Sequence, residues 1–144
     1  MSRIAQVIVL APYADEVMAP LTLPDDSRTW CGEFEQLSTF VEAWVIEFNR
    51  MRPRTGLLRH LESLPWPHPE SVQVLIHDEE DDCFGLWMMQ DSKLTELRVP
   101  GHTRLHPPAP PTDEFPPSPG LLWRTDTPTP TGFSPERQDP RPAW

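Results

Sequence analysis

The sequence predicts an α+β fold, a small and mostly antiparallel sheet with a helix on one face. Three observations predict this class. An apolar run rich in β-branched residues opens the chain, leucines with helical spacing occupy its middle, and two apolar runs flank an acidic turn. The predicted order of elements is strand, irregular connection, strand, helix and a strand–strand hairpin, followed by a disordered proline-rich tail.

The first predicted strand is the run IAQVIVLAPY, residues 4–13. Its β-branched residues favour extended structure, and Pro12 bounds it. Because the apolar run is nearly continuous, we expect other parts of the protein to cover this strand on both faces.

A short helix is predicted over residues 14–19, with two acidic residues near its N-terminus. Pro20 and Pro24 prevent its extension, because proline lacks the N–H that continues a helix. We expect the segment from there to Gly32 to be irregular.

The run QLSTFVEAWVIEFNRM, residues 36–51, fits two structures. Its apolar residues follow an i, i+3, i+4 spacing, which favours a helix capped by Ser38. Its valines, isoleucine and aromatic residues favour a strand. Taken alone, these residues leave helix and strand open, and the periodicity slightly favours the helix.

The predicted helix of the domain is RTGLLRHLESL, residues 54–64. Its leucines recur at i, i+1, i+4 and i+7, and Thr55 is placed to cap its N-terminus. Three prolines from Pro65 onward end it. The rigid connection PWPHP that follows is expected to return Trp66 over the core.

The runs SVQVLI and CFGLWMM predict two strands joined by a charged loop, which is the pattern of a hairpin. Val72, Val74 and Ile76 fall on one face of the first of these strands. KLTELRV, residues 93–99, predicts a short third strand or a ragged end.

A resemblance bears on residues 41–89. The block LLRHLESLPWPHPESVQVLIHDEEDDCFGLWMM resembles small uncharacterised α+β proteins of GC-rich bacteria, in which a helix, LPW with a nearby proline, a V-Q strand and an acidic turn follow one another. The preceding WVIEFN is similar to the strand that enters that helix. The resemblance implies a strand rather than a helix for residues 41–48, and it implies no activity.

Proline divides the chain at residue 100, since 13 of its 20 prolines lie from Pro100 onward. We therefore expect an acidic α+β domain over residues 1–99 and a proline-rich tail over residues 100–144 that favours extended polyproline II. The tail contains P-x-x-P spacing and one apolar island, GLLWR. Its candidate binding residues are Leu121, Leu122 and Trp123, which predict either a docking motif or a segment that rests on its own domain.

The charge of the chain restricts its partners. The formal net charge is −10, of which −9 lies in residues 1–99. Such a domain repels phosphate backbones and anionic lipid surfaces, so we predict no nucleic acid and no membrane partner. An electrostatic partner would be a basic protein. The N-terminal run is short for a signal peptide and contains Gln6, which predicts a cytoplasmic protein.

The acidic run HDEEDD suggests a metal site, a contact for a cationic partner, or a solvated hairpin loop. Its carboxylates are contiguous and no glycine lies among them, unlike a calcium loop, so we predict no metal. A solvated loop is favoured, and partner binding is its functional alternative. The candidate partner-binding residues of the run are Asp78, Glu79, Glu80, Asp81 and Asp82.

No pattern predicts a catalytic residue or a cofactor. His60 and Glu62 lie two apart on the predicted helix and do not share a face, so the histidines are expected on the surface. Cys31 and Cys83 are expected to be reduced thiols. The basic residues 49–54 are expected to balance the acidic surface or to pair with Glu47, and contact with a phosphate or carboxylate is their functional alternative.

The leading hypothesis is a non-catalytic partner-binding or regulatory protein that uses its acidic surface and its tail. One version is an inhibitor or immunity-type protein that masks a basic target. The rival hypothesis is a small enzyme whose acid–base groups, among His60, His77 and Glu47, are assembled from distant positions. No pattern predicts the oligomeric state.

Overall fold

The structure, a computed structural model, describes residues 4–38, 40–49, 52–78, 83–97, 100–101, 105–106 and 118–119. Six strands of this part form one sheet: β1 (Ala5–Leu10), β2 (Glu35–Ser38), β3 (Ala43–Phe48), β4 (Gln73–Asp78), β5 (Gly85–Gln90) and β6 (Lys93–Leu97). The helices are α1 (Asp15–Met18) and α2 (Leu57–Ser63), with 3-10 turns at Ala19–Thr22 and Pro69–Ser71.

The sheet is antiparallel throughout, and its strand order is β2-β3-β1-β4-β5-β6. The first strand, β1, therefore lies inside the sheet between β3 and β4. Helices on an antiparallel sheet define the α+β class, so the predicted fold class is confirmed.

Alternate residues of each strand point to the two faces of the sheet. On the inner face, Val7 of β1 lies in register with Ile46 of β3 and Ile76 of β4, and all three are buried. The next inner row joins Trp44, Val9, Val74 and Trp87 across four strands, and these are buried as well.

The segments outside the sheet pack on this inner face. Leu57, Leu58 and Leu61 of α2 belong to the same buried cluster as the inner strand residues. The chain from α1 to β2 adds four further buried residues to that cluster, namely Met18, Leu21, Trp30 and Phe34. On the outer face, Ile8 and Leu10 of β1 are half-buried. The packing that was predicted on both faces of β1 is thus seen on its inner face only.

Residues 36–51 contain strand β3, which agrees with the strand implied by the resemblance. Trp44, Ile46 and Phe48 face the core together because their spacing of two matches the pleat. Strand β2 was not predicted. Its residues Glu35, Gln36 and Leu37 are exposed at the sheet edge, so no apolar alternation marks them.

The hairpin β4–β5 and the short third strand β6 are confirmed. Asp91 and Ser92 join β5 to β6, and both have positive φ, 50° and 64°. Two consecutive residues with left-handed backbone conformation form the type I′ turn that suits a two-residue hairpin loop. Beyond β6, β7 (Leu105–His106) pairs with β8 (Ser118–Pro119). Most of the predicted disordered tail lies outside the described residues.

The start of α2 differs from the prediction. Gly56, not Thr55, stands at the N-cap position, and no side-chain hydrogen bond caps the helix there. Gly56 has φ 84°, and a Cβ at this position would lie 2.5 Å from Thr29 Oγ1. Thr29 Oγ1 donates to the Thr55 carbonyl at 2.8 Å, so this contact ties the α1–β2 segment to the start of α2.

We expect Gly56→Ala to destabilise the protein through two effects. An alanine in the left-handed region costs roughly 1–2 kcal/mol, and its Cβ would also displace the Thr29 hydroxyl. Gly101→Ala is the matched control, because Gly101 has φ 78° but nothing within 4 Å of the added Cβ. Urea unfolding of both variants should show the larger loss for Gly56→Ala. Equal losses would mean that the Thr29 contact contributes nothing.

Candidate partner-binding surface

The first carboxylate residue of the acidic run, Asp78, belongs to the sheet. Asp78 is the last residue of β4, and its exposed fraction is 0%. Asp78 therefore does not belong to an exposed acidic surface, which corrects the prediction for this residue. Glu79, Glu80, Asp81 and Asp82 belong to the connection between β4 and β5 and lie outside the described residues.

Arg54 is the ionic partner of Asp78. Its Nη1 lies 3.5 Å from Asp78 Oδ2, and both side chains are fully buried. The centre of its guanidinium lies 5.6 Å from the ring centroid of Phe48. Ala5 pairs with Phe48 on one side and with Asp78 on the other, so the ion pair covers the last inner row of the sheet. The prediction that Arg54 balances surface charge is wrong.

An acidic cleft lies at the opposite end of β5. It measures about 410 Å³, and its walls are the end of α2, the connection to β4 and the β5–β6 turn. Three carboxylate residues line it, Glu62, Glu70 and Asp91, together with the apolar side chains of Trp66 and Met89. Neither lysine nor arginine occurs among the lining residues that the structure describes.

Local contacts hold this cleft in shape. The Trp66 indole N–H donates to the Leu61 carbonyl at 2.6 Å, which returns the LPWPHP connection over the core as predicted. The Leu94 N–H donates to Glu62 Oε1 at 2.7 Å, which joins α2 to β6. His68 Nδ1 lies 3.4 Å from Glu70 Oε1. Asp91, which has a positive φ, and Ser92 bring the β5–β6 turn to the opposite wall of the cleft.

The cleft has the chemistry of a receptor for a cationic side chain. The long aliphatic stem of an arginine or lysine packs well on apolar surface while its charged head meets carboxylates. An indole face adds attraction for the cation. The run LPWPHPE already places Trp66 and Glu70 near each other in the sequence. Only the fold brings Asp91, in the β5–β6 turn, to the same cleft.

Exposed apolar residues also lie at the end of the sheet that holds the cleft, on the side of β2 and β3. Phe40, in the β2–β3 connection, is 97% exposed. Val41, the next residue, and Tyr13, in the segment after β1, are exposed as well. Glu42 Oε2 accepts a hydrogen bond from the Tyr13 N–H at 2.7 Å, which links the two loops. Large exposed aromatic side chains are frequent anchors of protein interfaces.

His60 is not a simple surface histidine, which corrects that prediction. Trp30 Nε1–H donates to His60 Nδ1 at 3.1 Å, and their ring centroids lie 5.7 Å apart. The Arg28 guanidinium lies 4.6 Å from the centroid of the Trp30 ring. Burial, with a smaller contribution from the charge of Arg28, lowers the pKa of His60 below its ordinary value of 6.5.

The lowered pKa of His60 predicts a loss of stability in acid. Below about pH 6.5 the unfolded chain binds a proton at His60 more readily than the folded chain, so stability falls as the pH decreases through the folded pKa. We expect urea unfolding to show this fall in the wild type and a shallower one in His60→Gln, whose amide oxygen can still accept from Trp30. Equal pH dependence would contradict this role.

The acid–base groups of the rival enzyme hypothesis are not brought together. Gln6 pairs with Glu47 on one side and His77 on the other, so these two residues stand two strands apart, about 10 Å, on the outer face. Gln6 Nε2 donates to Glu47 Oε2 at 3.2 Å, and His77 stacks on Phe84. His60 contacts the core on the inner face.

Candidate metal ligands, cysteines and long apolar helices can be placed in the part of the chain that the structure describes. No group of three or more His, Cys, Asp or Glu residues there has the arrangement to hold a metal ion. The described part of the chain contains no disulfide, and Cys31 is exposed rather than packed in the core as a small apolar residue. Across the same residues, no helix has the length and apolar character to span a membrane.

Comparison with models of protein families, with curated proteins and with solved structures finds no match for this chain. The resemblance to α+β proteins of GC-rich bacteria therefore stays a prediction. The predicted tail residues Leu121, Leu122 and Trp123 lie outside the described part of the structure.

Proposed function

We propose that this chain is a non-catalytic protein that binds a basic partner protein. The observation that carries the proposal is the cleft that Glu62, Glu70 and Asp91 line together with Trp66 and Met89. A surface arginine or lysine of a partner fits this cleft in both its charge and its aliphatic stem. The excess of acidic residues over residues 1–99 steers such a partner toward the domain.

The acidic run extends the proposed surface. Residues 79–82 precede β5 in the sequence, and the cleft lies at the far end of β5, a strand about 20 Å long. A protein interface of ordinary size covers about 800 Å² on each partner, which spans this distance. Burial of Asp78 leaves Glu79, Glu80, Asp81 and Asp82 as the carboxylates that the run contributes.

One version of the proposal is an inhibitor or immunity-type protein. In this version the acidic surface covers a basic functional site of the target, and like-charged proteins are rejected by repulsion. Leu121, Leu122 and Trp123 are the second interaction element of the protein.

The test is capture of a partner by the immobilised full-length chain from a lysate of its source cells. We expect a defined basic protein that is retained at low ionic strength and released as salt is raised, because screening weakens exposed charge pairs. The variant Glu79→Gln/Glu80→Gln/Asp81→Asn/Asp82→Asn should retain less of it. Retention that depends neither on salt nor on these carboxylates would contradict the proposal.

A further inference from the structure

The outer face of the sheet carries a continuous apolar row. The residues of this row lie in register on neighbouring strands, and each is half-buried: Val45 of β3, Ile8 of β1, Leu75 of β4, Leu86 of β5 and Leu97 of β6. Leu10 and Met88 add apolar surface in the adjacent row, on either side of Gln73. Solvated faces of antiparallel sheets are usually polar, so this face has the composition of one that is covered.

The helices that the structure describes pack on the inner face of the sheet and do not cover the outer face. Their buried residues join the cluster formed by the inner strand residues, such as Val7, Ile46 and Ile76. The near-continuous apolar sequence of β1, in which Ile8 and Leu10 alternate with the inner residues, predicts a strand packed on both sides. A second covering element is therefore expected on the outer face.

We propose that the outer face is a docking surface for the chain's own C-terminal island, Gly120–Arg124. Leu121, Leu122 and Trp123 form the one run of three aliphatic or aromatic residues in the sequence beyond residue 100. Burying a tryptophan and two leucines against an apolar row stabilises the contact by the hydrophobic effect. The docked segment shields the apolar row from water.

The chain is long enough to make this contact. The pairing of β7 with β8 returns Pro119 to a position beside Leu105, so the tether to the sheet is the segment from Leu97 to Leu105. That segment spans at most roughly 26 Å, and less because of the turn at Pro100 and Gly101, whereas β3 lies about 19 Å from β6; Trp123 gains further reach from the residues after Pro119. The island thus reaches the row from the edge strand β6.

Charge favours the same arrangement. Arg124 follows the three apolar residues directly. At the far end of the row, Glu35 of β2 lies in register with Val45, and Glu47 lies two residues further along β3. Both carboxylate residues are exposed, so an island that crosses the sheet from β6 toward β2 brings its arginine to them.

A segment of the same chain is favoured over a second copy. A short tether holds the island at millimolar effective concentration near the face, without the cost of bringing two molecules together. Two copies of this chain would also repel each other, since each carries a net charge of −10. The inference does not depend on the cleft, which lies on the side of the sheet that α2 occupies.

The test is methyl NMR of the full chain labelled at isoleucine, leucine and valine. An indole ring displaces the resonances of methyl groups beneath it, so we expect Trp123→Ala to shift the methyl signals of Ile8 and Val45. Ile46 and Ile76, on the inner face of the same strands, serve as internal controls. Trp144→Ala, which removes the other tryptophan of the tail, is the matched variant and should leave all four residues unshifted.

Two results would overturn the inference. Unchanged Ile8 and Val45 signals in Trp123→Ala would show that the island does not lie on the face, which then is open to a foreign partner. A shift that disappears on dilution would show that the island docks on a second copy. A shift confined to the outer-face methyl groups, independent of protein concentration, supports docking within one chain.

Discussion

Replacing Arg54 with methionine is expected to lower the free energy of unfolding by about 3–5 kcal/mol. The guanidinium and the Asp78 carboxylate are both fully buried, with Nη1 3.5 Å from Oδ2. Methionine fills similar volume over Phe48, but Asp78 would lose the opposite charge that offsets its removal from water. Urea unfolding of the full chain measures the effect.

The double variant Arg54→Met/Asp78→Leu separates charge from packing. Replacing both members of a buried ion pair with apolar residues of similar size is often neutral or stabilising, so we expect it to recover most of the lost stability. A single Arg54→Met change that costs under about 1 kcal/mol would contradict a buried, coupled pair. A double variant less stable than the single one would show that the site needs the charges themselves.

Replacing Trp30 with alanine is expected to cost about 3–5 kcal/mol, the range of large aromatic truncations in a core. Trp30 is buried against Phe34, with ring centroids 6.0 Å apart, and it lies beneath the Arg28 guanidinium. Its indole N–H also bonds His60 of α2. The irregular segment between α1 and β2 is therefore part of the core, and removing Trp30 releases it from α2.

Trp30→Phe is the matched control for this prediction. Phenylalanine keeps much of the packing with Phe34 but loses the hydrogen bond to His60, which should cost about 1–3 kcal/mol. We therefore expect its unfolding midpoint in urea to lie between those of the wild type and Trp30→Ala. Equal midpoints for all three proteins would contradict a structural role for the segment.

Elements with strong local patterns were predictable from the sequence. The β-branched run of β1, the leucine spacing of α2 and the two apolar runs around the acidic turn each have one favoured structure. Strand β3 was ambiguous because its aromatic and β-branched residues satisfy both the helical and the strand period. Pairing with β1 decided it, and that pairing joins positions about 40 residues apart.

Features that depend on distant contacts were not predictable. Strand β2 is exposed and has no pattern, so its pairing with β3 alone defines it. Threonine is a residue type that caps helices, which favoured Thr55 as the N-cap of α2. Gly56 takes the N-cap position instead, because its left-handed φ lets the chain pass close to Thr29. The burial of Asp78 follows from Arg54, which is distant in the sequence and stands among basic residues that suggested a surface stretch.

The candidate surface was predictable in its charge but not in its geometry. Composition alone indicated a basic partner. The acidic run drew attention to five adjacent carboxylates, whereas the cleft assembles Glu62, Glu70 and Asp91 from three separate segments. No local spacing signals such a group, because the β5–β6 turn and the connection after α2 meet only in the folded sheet.

Partner binding at the cleft is tested most directly by the affinity of the captured partner across a range of salt concentrations. Glu62→Gln/Glu70→Gln/Asp91→Asn removes three charges while keeping the acceptor for the Leu94 N–H and a residue type tolerant of positive φ at the turn. Glu16→Gln/Asp26→Asn/Glu33→Gln removes as many exposed charges away from the cleft. We expect weaker binding and a shallower salt dependence for the cleft variant than for this control. Identical affinity and identical salt dependence of the two variants would contradict binding at the cleft.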